Sequence, residues 1–180
     1  MSCALTSGFT LNPCNDTIGG VKSIYIGDFS GLTIVTSGSG TVASPTLIAT
    51  GSSGTVFEYQ PLKNSASATF TPVVSVENGT VFFQTTVTFN MRNINGEKRE
   101  ELALLSKAKV MLIVEMNTGG SIMFGTEQGM YLTAGTITTG AAFGDLQGYT
   151  LTFTSDETIQ PIPLASTVAA TFTVGSTEVQ

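Results

Sequence analysis

The chain has 180 residues, with seven Lys and Arg against 13 Asp and Glu, no His, no Trp and two Cys, for a formal charge of −6. Without His there is no Ser-His-Asp triad, no Cys-His pair and no His-containing zinc site. Seven cations do not readily build the basic face that gripping nucleic acid requires, and the length suits one domain with a real core.

The opening MSCALTSGFTLNP has neither the basic start nor the long apolar stretch of a secretory signal, so export is not expected. Cys3 and Cys14 are read as structural, either as buried thiols or, in an oxidising compartment, as a small-loop disulfide. Short strands are predicted over Val21–Ile26, Leu32–Thr36, Thr41–Ala49 and Thr55–Gln60. The Gly and Ser clusters SGSG and GSSG punctuate residues 30 to 54, and they match neither a dinucleotide fingerprint nor a P-loop. This segment can form a hairpin, but its apolar runs are short, so it is expected to become ordered by contact with a neighbouring copy through Ile34, Val35, Leu47 and Ile48.

Strict alternation dominates the centre. In the stretch ending at Glu77, residues Ala66, Ala68, Phe70, Pro72, Val74 and Val76 share one side; after it, Val81, Phe83, Val87, Phe89 and Met91 do the same. Two long half-buried strands are predicted, Ser65–Glu77 and Thr80–Met91, joined by a tight Asn78-Gly79 turn. Pro72 cannot donate to a ladder, so its strand should lie at an edge or carry a bulge. The opposite faces hold Ser67, Thr69, Thr71, Gln84, Thr86 and Thr88.

Charge is then concentrated. Glu97, Lys98, Arg99, Glu100, Glu101, Lys107 and Lys109 are seven of the chain's 20 charged residues. A surface helix over Gly96–Ala108 is predicted, capped by Asn95, with acids near its positive end, Lys107 and Lys109 near its negative end, and Leu102 and Leu105 as the packing stripe. The following run VMLIV is too short to span a membrane, which takes about 20 residues, and no membrane binding is expected. Further strands are predicted at Val110–Met116, Ser121–Gly125, Tyr149–Thr154 and Thr167–Val174, with a hairpin turn at Asn117–Gly120 and a long loop over Gly135–Gly148.

Chemical motifs are weak. Ser106 and Lys109 match S-x-x-K, but at the wrong end of a helix and without companion triplets. Glu100-Glu101 and Asp156-Glu157 are neighbours rather than acids facing each other across a cleft, and are read as solvated surface. Two N-glycosylation triplets, at Asn15 and Asn78, lack the secretory context that would give them meaning. No enzyme, cofactor or metal site is expected.

The phrases CALTSGFTLNPCNDTIGGVKSIYI, SVENGTVFFQTTVTF followed by a charged helix and VMLIVEMNTG, and GYTLTFT, in that order, resemble tail tube (major tail) proteins of long-tailed bacteriophages, especially those of phages of Bacteroidetes-like hosts. The resemblance covers roughly residues 2 to 156. It implies an antiparallel β-sandwich or half-barrel with one flanking α-helix, a structural virion protein whose homohexamer rings stack into a hollow tube. Implied partners are the chain itself and other tail proteins, with DNA passing through the lumen without specific binding. The setting would be the virion tail, assembled in the host cytoplasm. On this reading residues 1–163 form the tube-like domain and 164–180 a C-terminal strand or contact arm; Ser67, Thr69, Thr71, Gln84, Thr86 and Thr88 face the lumen. Alternatives are a related virion part, such as a tail terminator, a sheath-associated protein or a capsid decoration protein, and a carbohydrate-binding β-sandwich, which would usually display exposed Trp or Tyr.

Overall fold

The computed structural model of the protein describes residues 18–34, 36–37, 48–49 and 54–175. In chain order its elements are β1 (Val21–Asp28), a 3-10 turn (Phe29–Gly31), β2 (Thr36–Ser37), β3 (Ile48–Ala49), β4 (Thr55–Tyr59), β5 (Ser67–Ser75), β6 (Thr80–Arg92), α1 (Gly96–Leu105), β7 (Val110–Met116), β8 (Ser121–Phe124), β9 (Tyr131–Thr138), β10 (Gly148–Glu157), β11 (Ile162–Pro163), α2 (Val168–Thr171) and β12 (Thr173–Val174). The fold is mainly β, a sandwich with α1 on its flank. One sheet has six strands in the order β11-β8-β7-β1-β4-β12, the other has four in the order β5-β6-β10-β9, and β2 pairs with β3 separately. β12 lies parallel to β4, and the other pairings are antiparallel.

The sequence patterns of the two sheets differ because their burial differs. The six-stranded sheet is covered on both sides. Ile24, Ile26, Leu112, Val114 and Phe124 face the four-stranded sheet, while Tyr25, Met111, Ile113 and Met123 face a second cluster closed by Val56, Ile162, Val168 and Phe172. Covered on both sides, β7 reads as the unbroken apolar run VMLIV. The four-stranded sheet is covered on one side only, so β6 and β10 alternate. Val87, Phe89, Met91, Tyr149, Leu151 and Phe153 are buried, and the Phe89 and Phe153 rings stack at 6.1 Å. Each such side chain contributes on the order of 1.5–3 kcal/mol by leaving water.

The charged helix forms where predicted. The Asn95 side chain accepts the Lys98 backbone N–H at 2.9 Å, Leu105 is buried, Leu102 packs against the main core, and Leu104 is exposed. α1 ends at Leu105, earlier than the predicted Ala108, because Lys107 N–H turns back to the Leu104 carbonyl and tightens the last turn. Lys107 and Lys109 therefore follow the helix rather than occupying its last turn. Glu101 is not merely solvated, since it accepts the hydroxyl of the buried Tyr59.

Other expectations are corrected. The segment read as a loop from Gly135 begins inside β9, whose alternation is broken by a register slip between Thr152 and Phe153 on its partner. The hairpin after β5 is a four-residue loop, Val76 to Gly79, between the Ser75 and Thr80 pair; only Gly79 takes positive φ (64°), so Asn78-Gly79 is not a two-residue turn. Residues 167–174 are a helical turn followed by the short β12, because Val168 and Phe172 are both drawn into the second cluster. The Asn117–Gly120 turn closes the β7–β8 hairpin as predicted.

Candidate functional site

Residues directly opposite in an antiparallel ladder share a face, so the register of the four-stranded sheet defines its outer surface. Ser67 opposes Thr88, Thr69 opposes Thr86 and Thr71 opposes Gln84. On the next strand Thr88, Thr86 and Gln84 oppose Thr152, Thr154 and Asp156, and Asn90 opposes Thr150. Thr150 and Thr152 then oppose Thr136 and Ala134 on β9. The six residues expected to line a lumen thus lie together on one face, extended by Thr150, Thr152, Thr154 and Thr136. All are exposed or half-buried.

This surface is rich in hydroxyls and poor in charge. The Thr88 and Thr152 hydroxyls meet at 3.2 Å, Thr133 donates to the Thr152 carbonyl at 3.3 Å, and Gln84 donates to Asp156 at 3.3 Å. Arg92 lies at one end of the face and Asp156 toward the other. Phe83, Val87 and Phe89 point the opposite way, Val87 and Phe89 into the sandwich core and Phe83 only half-buried.

The sheet's two margins are open among the described residues. β5 and β9 are its edge strands, nine and eight residues long, and Pro72 takes the edge position its missing donor requires. Free edges of this length are normally blunted by charge, bulges or cover. The β9 bulge is one such device, but neither strand contains a charged residue. Both therefore present backbone donors and acceptors that another strand can pair with.

Two features near the ends of this sheet escaped the sequence reading. Asp156 is exposed as expected, but its neighbour Glu157 is buried, correcting the reading of that pair as solvated surface. Glu157 Oε1 accepts the backbone N–H groups of Glu127 at 3.0 Å and Gln128 at 3.4 Å. Its Oε2 has no hydrogen-bond partner among the described residues, and burial raises its pKa above the usual carboxylate range. The alternation of β10 could have shown it, since Glu157 continues the face of Leu151, Phe153 and Ser155. At the other end, Phe143 stands wholly exposed on the loop between β9 and β10. Asp145 Oδ2 shapes that loop by accepting the N–H groups of Ala141 and Ala142, both at 2.8 Å, and these bonds hold its carboxyl below the usual range.

Of the proposed contact loop, Ile34 packs with Leu32 against the chain's own second cluster. The backbones of Thr36–Ser37 and Ile48–Ala49 pair antiparallel. Val35, Leu47 and the Ile48 side chain lie outside the described residues, as do Cys3 and Cys14. Among the described residues there is no group of three or more acidic or Cys side chains able to hold a metal ion, and no helix is long and apolar enough to cross a membrane. No known protein family, curated protein or solved structure matches the chain.

Proposed function

We propose that this chain is a structural subunit that assembles with itself: six copies join edge to edge into a ring, rings stack into a hollow tube, and the hydroxyl face lines the lumen through which DNA passes. This is the role that the resemblance to phage tail tube proteins implies. The observation that carries it is the four-stranded sheet, which is apolar toward its own core, hydroxyl-rich outside, and bounded by two long uncharged edges.

Pairing β5 of one copy with β9 of the next would satisfy both edges and continue the Ser67, Thr69 and Thr71 row into the Thr136 row. Six such sheets would make a barrel of 24 strands with a backbone diameter of about 50 Å, at ordinary strand spacing and tilt. That is wider than a DNA duplex. A wall of threonine hydroxyls hydrogen-bonds water and offers phosphates almost no cations, so a strand of DNA would slide past without being held.

The test is electron microscopy of the purified full-length chain at rising concentration. Rings or tubes support the reading, whereas monodisperse monomers at millimolar concentration would refute it.

A further inference from the structure

We infer that the two ends of the four-stranded sheet form a head-to-tail pair, the β5–β6 arm of one copy seating on the β9–β10 loop of the next; as an account of how rings would stack, this rests on the assembly reading above.

At one end β5 and β6 outrun their sheet. Phe83 is the last β6 residue paired with β10, and beyond it Phe82 pairs with Val73, Val81 with Val74 and Thr80 with Ser75. The arm projects about 10 Å at ordinary strand rise. It is apolar on both faces. Val74 and Val81 are 59% and 57% exposed on the face that would otherwise meet a core, Val73 and Phe82 are half-buried on the other, and Val76 at the tip is 91% exposed. Glu77 follows Val76, and Asp156 and Glu127 lie at the same end.

At the opposite end the exposed apolar residues are Phe143, Ile137 and Ile94. A depression at this end is lined by Leu62, Arg92, Asn93, Gly144, Asp145, Leu146 and Gln147. Phe143, Ile94 and Lys63 are chain neighbours of its lining residues, and Ile137 precedes Thr138, whose hydroxyl donates to the Leu146 carbonyl. Arg92 and Lys63 form no ion pair among the described residues. The acid of this rim, Asp145, is occupied by its own loop amides, while at the start of α1 Glu97 and Glu100 offset Lys98 and Arg99.

The two ends are complementary, apolar with an acidic tip against apolar with a basic rim. They are separated by the length of the 13-residue β6, about 44 Å at ordinary rise, so one copy cannot satisfy both. A second copy can. Its contact is heterologous, using different surfaces on the two partners. Because these surfaces lie at opposite ends of the strands, repeating it displaces each copy along the strand direction and builds an open stack, whereas the heterologous β5–β9 contact closes a ring. A wholly exposed aromatic on a preshaped loop is the kind of anchor that dominates such contacts.

The experiment compares the wild-type full chain with Phe143→Ser, Val81→Asp, Glu77→Lys, Arg92→Glu and the double variant Glu77→Lys/Arg92→Glu, by electron microscopy and sedimentation, with thermal melts confirming that each folds. Expected are wild-type stacks, at least tenfold shorter stacks or single rings for each single variant, and longer stacks for the double variant than for either of its parents. Single-file filaments of wild type that Phe143→Ser abolishes would uphold the pairing while the ring reading fails. Isolated wild-type rings that never stack, or variant stacks as long as wild type, would overturn the pairing and leave the ring reading standing. Wild-type monomers alone would overturn both.

Discussion

The hydroxyls of Thr88 and Thr152 meet at 3.2 Å in the middle of the four-stranded sheet, on the face turned away from its core. Neither group is needed to satisfy a buried neighbour, so the bond should add little to stability. In a double-mutant cycle with Thr88→Val and Thr152→Val, the coupling energy from urea melts should be about 0.5–1 kcal/mol. A coupling several times larger would mean that the hydroxyl face is part of the fold's own scaffold rather than a surface free for another use.

Adjacent leucines on α1 should behave oppositely. Leu105 is buried and Leu104 is 70% exposed, so Leu105→Ala should cost about 2–4 kcal/mol and Leu104→Ala less than about 0.5 kcal/mol. Equal losses in denaturant melts would show that the packing stripe is misassigned.

Glu157 makes stability depend on pH in a definite sense. Burial raises its folded pKa above the ordinary 4.5, so the folded state binds the proton more tightly than the unfolded chain. Its favourable contribution is full below 4.5 and is lost as pH rises through the raised folded value. Glu157→Gln should flatten that part of the stability profile, and it should leave stability at neutral pH equal or higher, because the amide oxygen can still accept from the Glu127 and Gln128 N–H groups. A neutral-pH loss beyond about 2 kcal/mol would show that the ionised carboxylate is the form the loop requires.

Much of this was legible in the sequence because alternation reports one-sided burial. Val87, Phe89 and Met91 read out the buried side of β6, where the buried Thr85 was not singled out and Val81 is exposed, and the cap at Asn95 fixed where α1 starts. β9 was missed because a bulge shifts its period and Gly135 dilutes it. Glu157 was missed because carboxylates are normally solvated, and only the loop amides that receive it, brought from some 30 residues away, make its burial tolerable. The outward face could be chosen from the pattern, but its neighbours could not. Which strand lies beside which is decided by pairings such as β6 with β10, whose partners are 56 to 74 residues apart in sequence.

If the hydroxyl face lines a conduit, its neutrality should matter more than its shape. The double variant Thr86→Arg/Thr154→Arg places two cations side by side in that face, and assembled particles should then retain duplex DNA in a salt-sensitive way, while wild-type particles should not. Equal retention in a filter or co-sedimentation assay at low and high salt would count against the face being a lumen.

The most direct measurement is a cryo-electron reconstruction of assembled full-length chain, resolved well enough to place side chains. The account predicts a closed wall in which β5 of each copy pairs with β9 of the next, with Thr69, Thr86, Thr88 and Thr154 lining the channel and Phe89 and Phe153 buried behind them. A channel lined by any other surface of the subunit, or assembly through contacts that leave β5 and β9 unpaired, would contradict it.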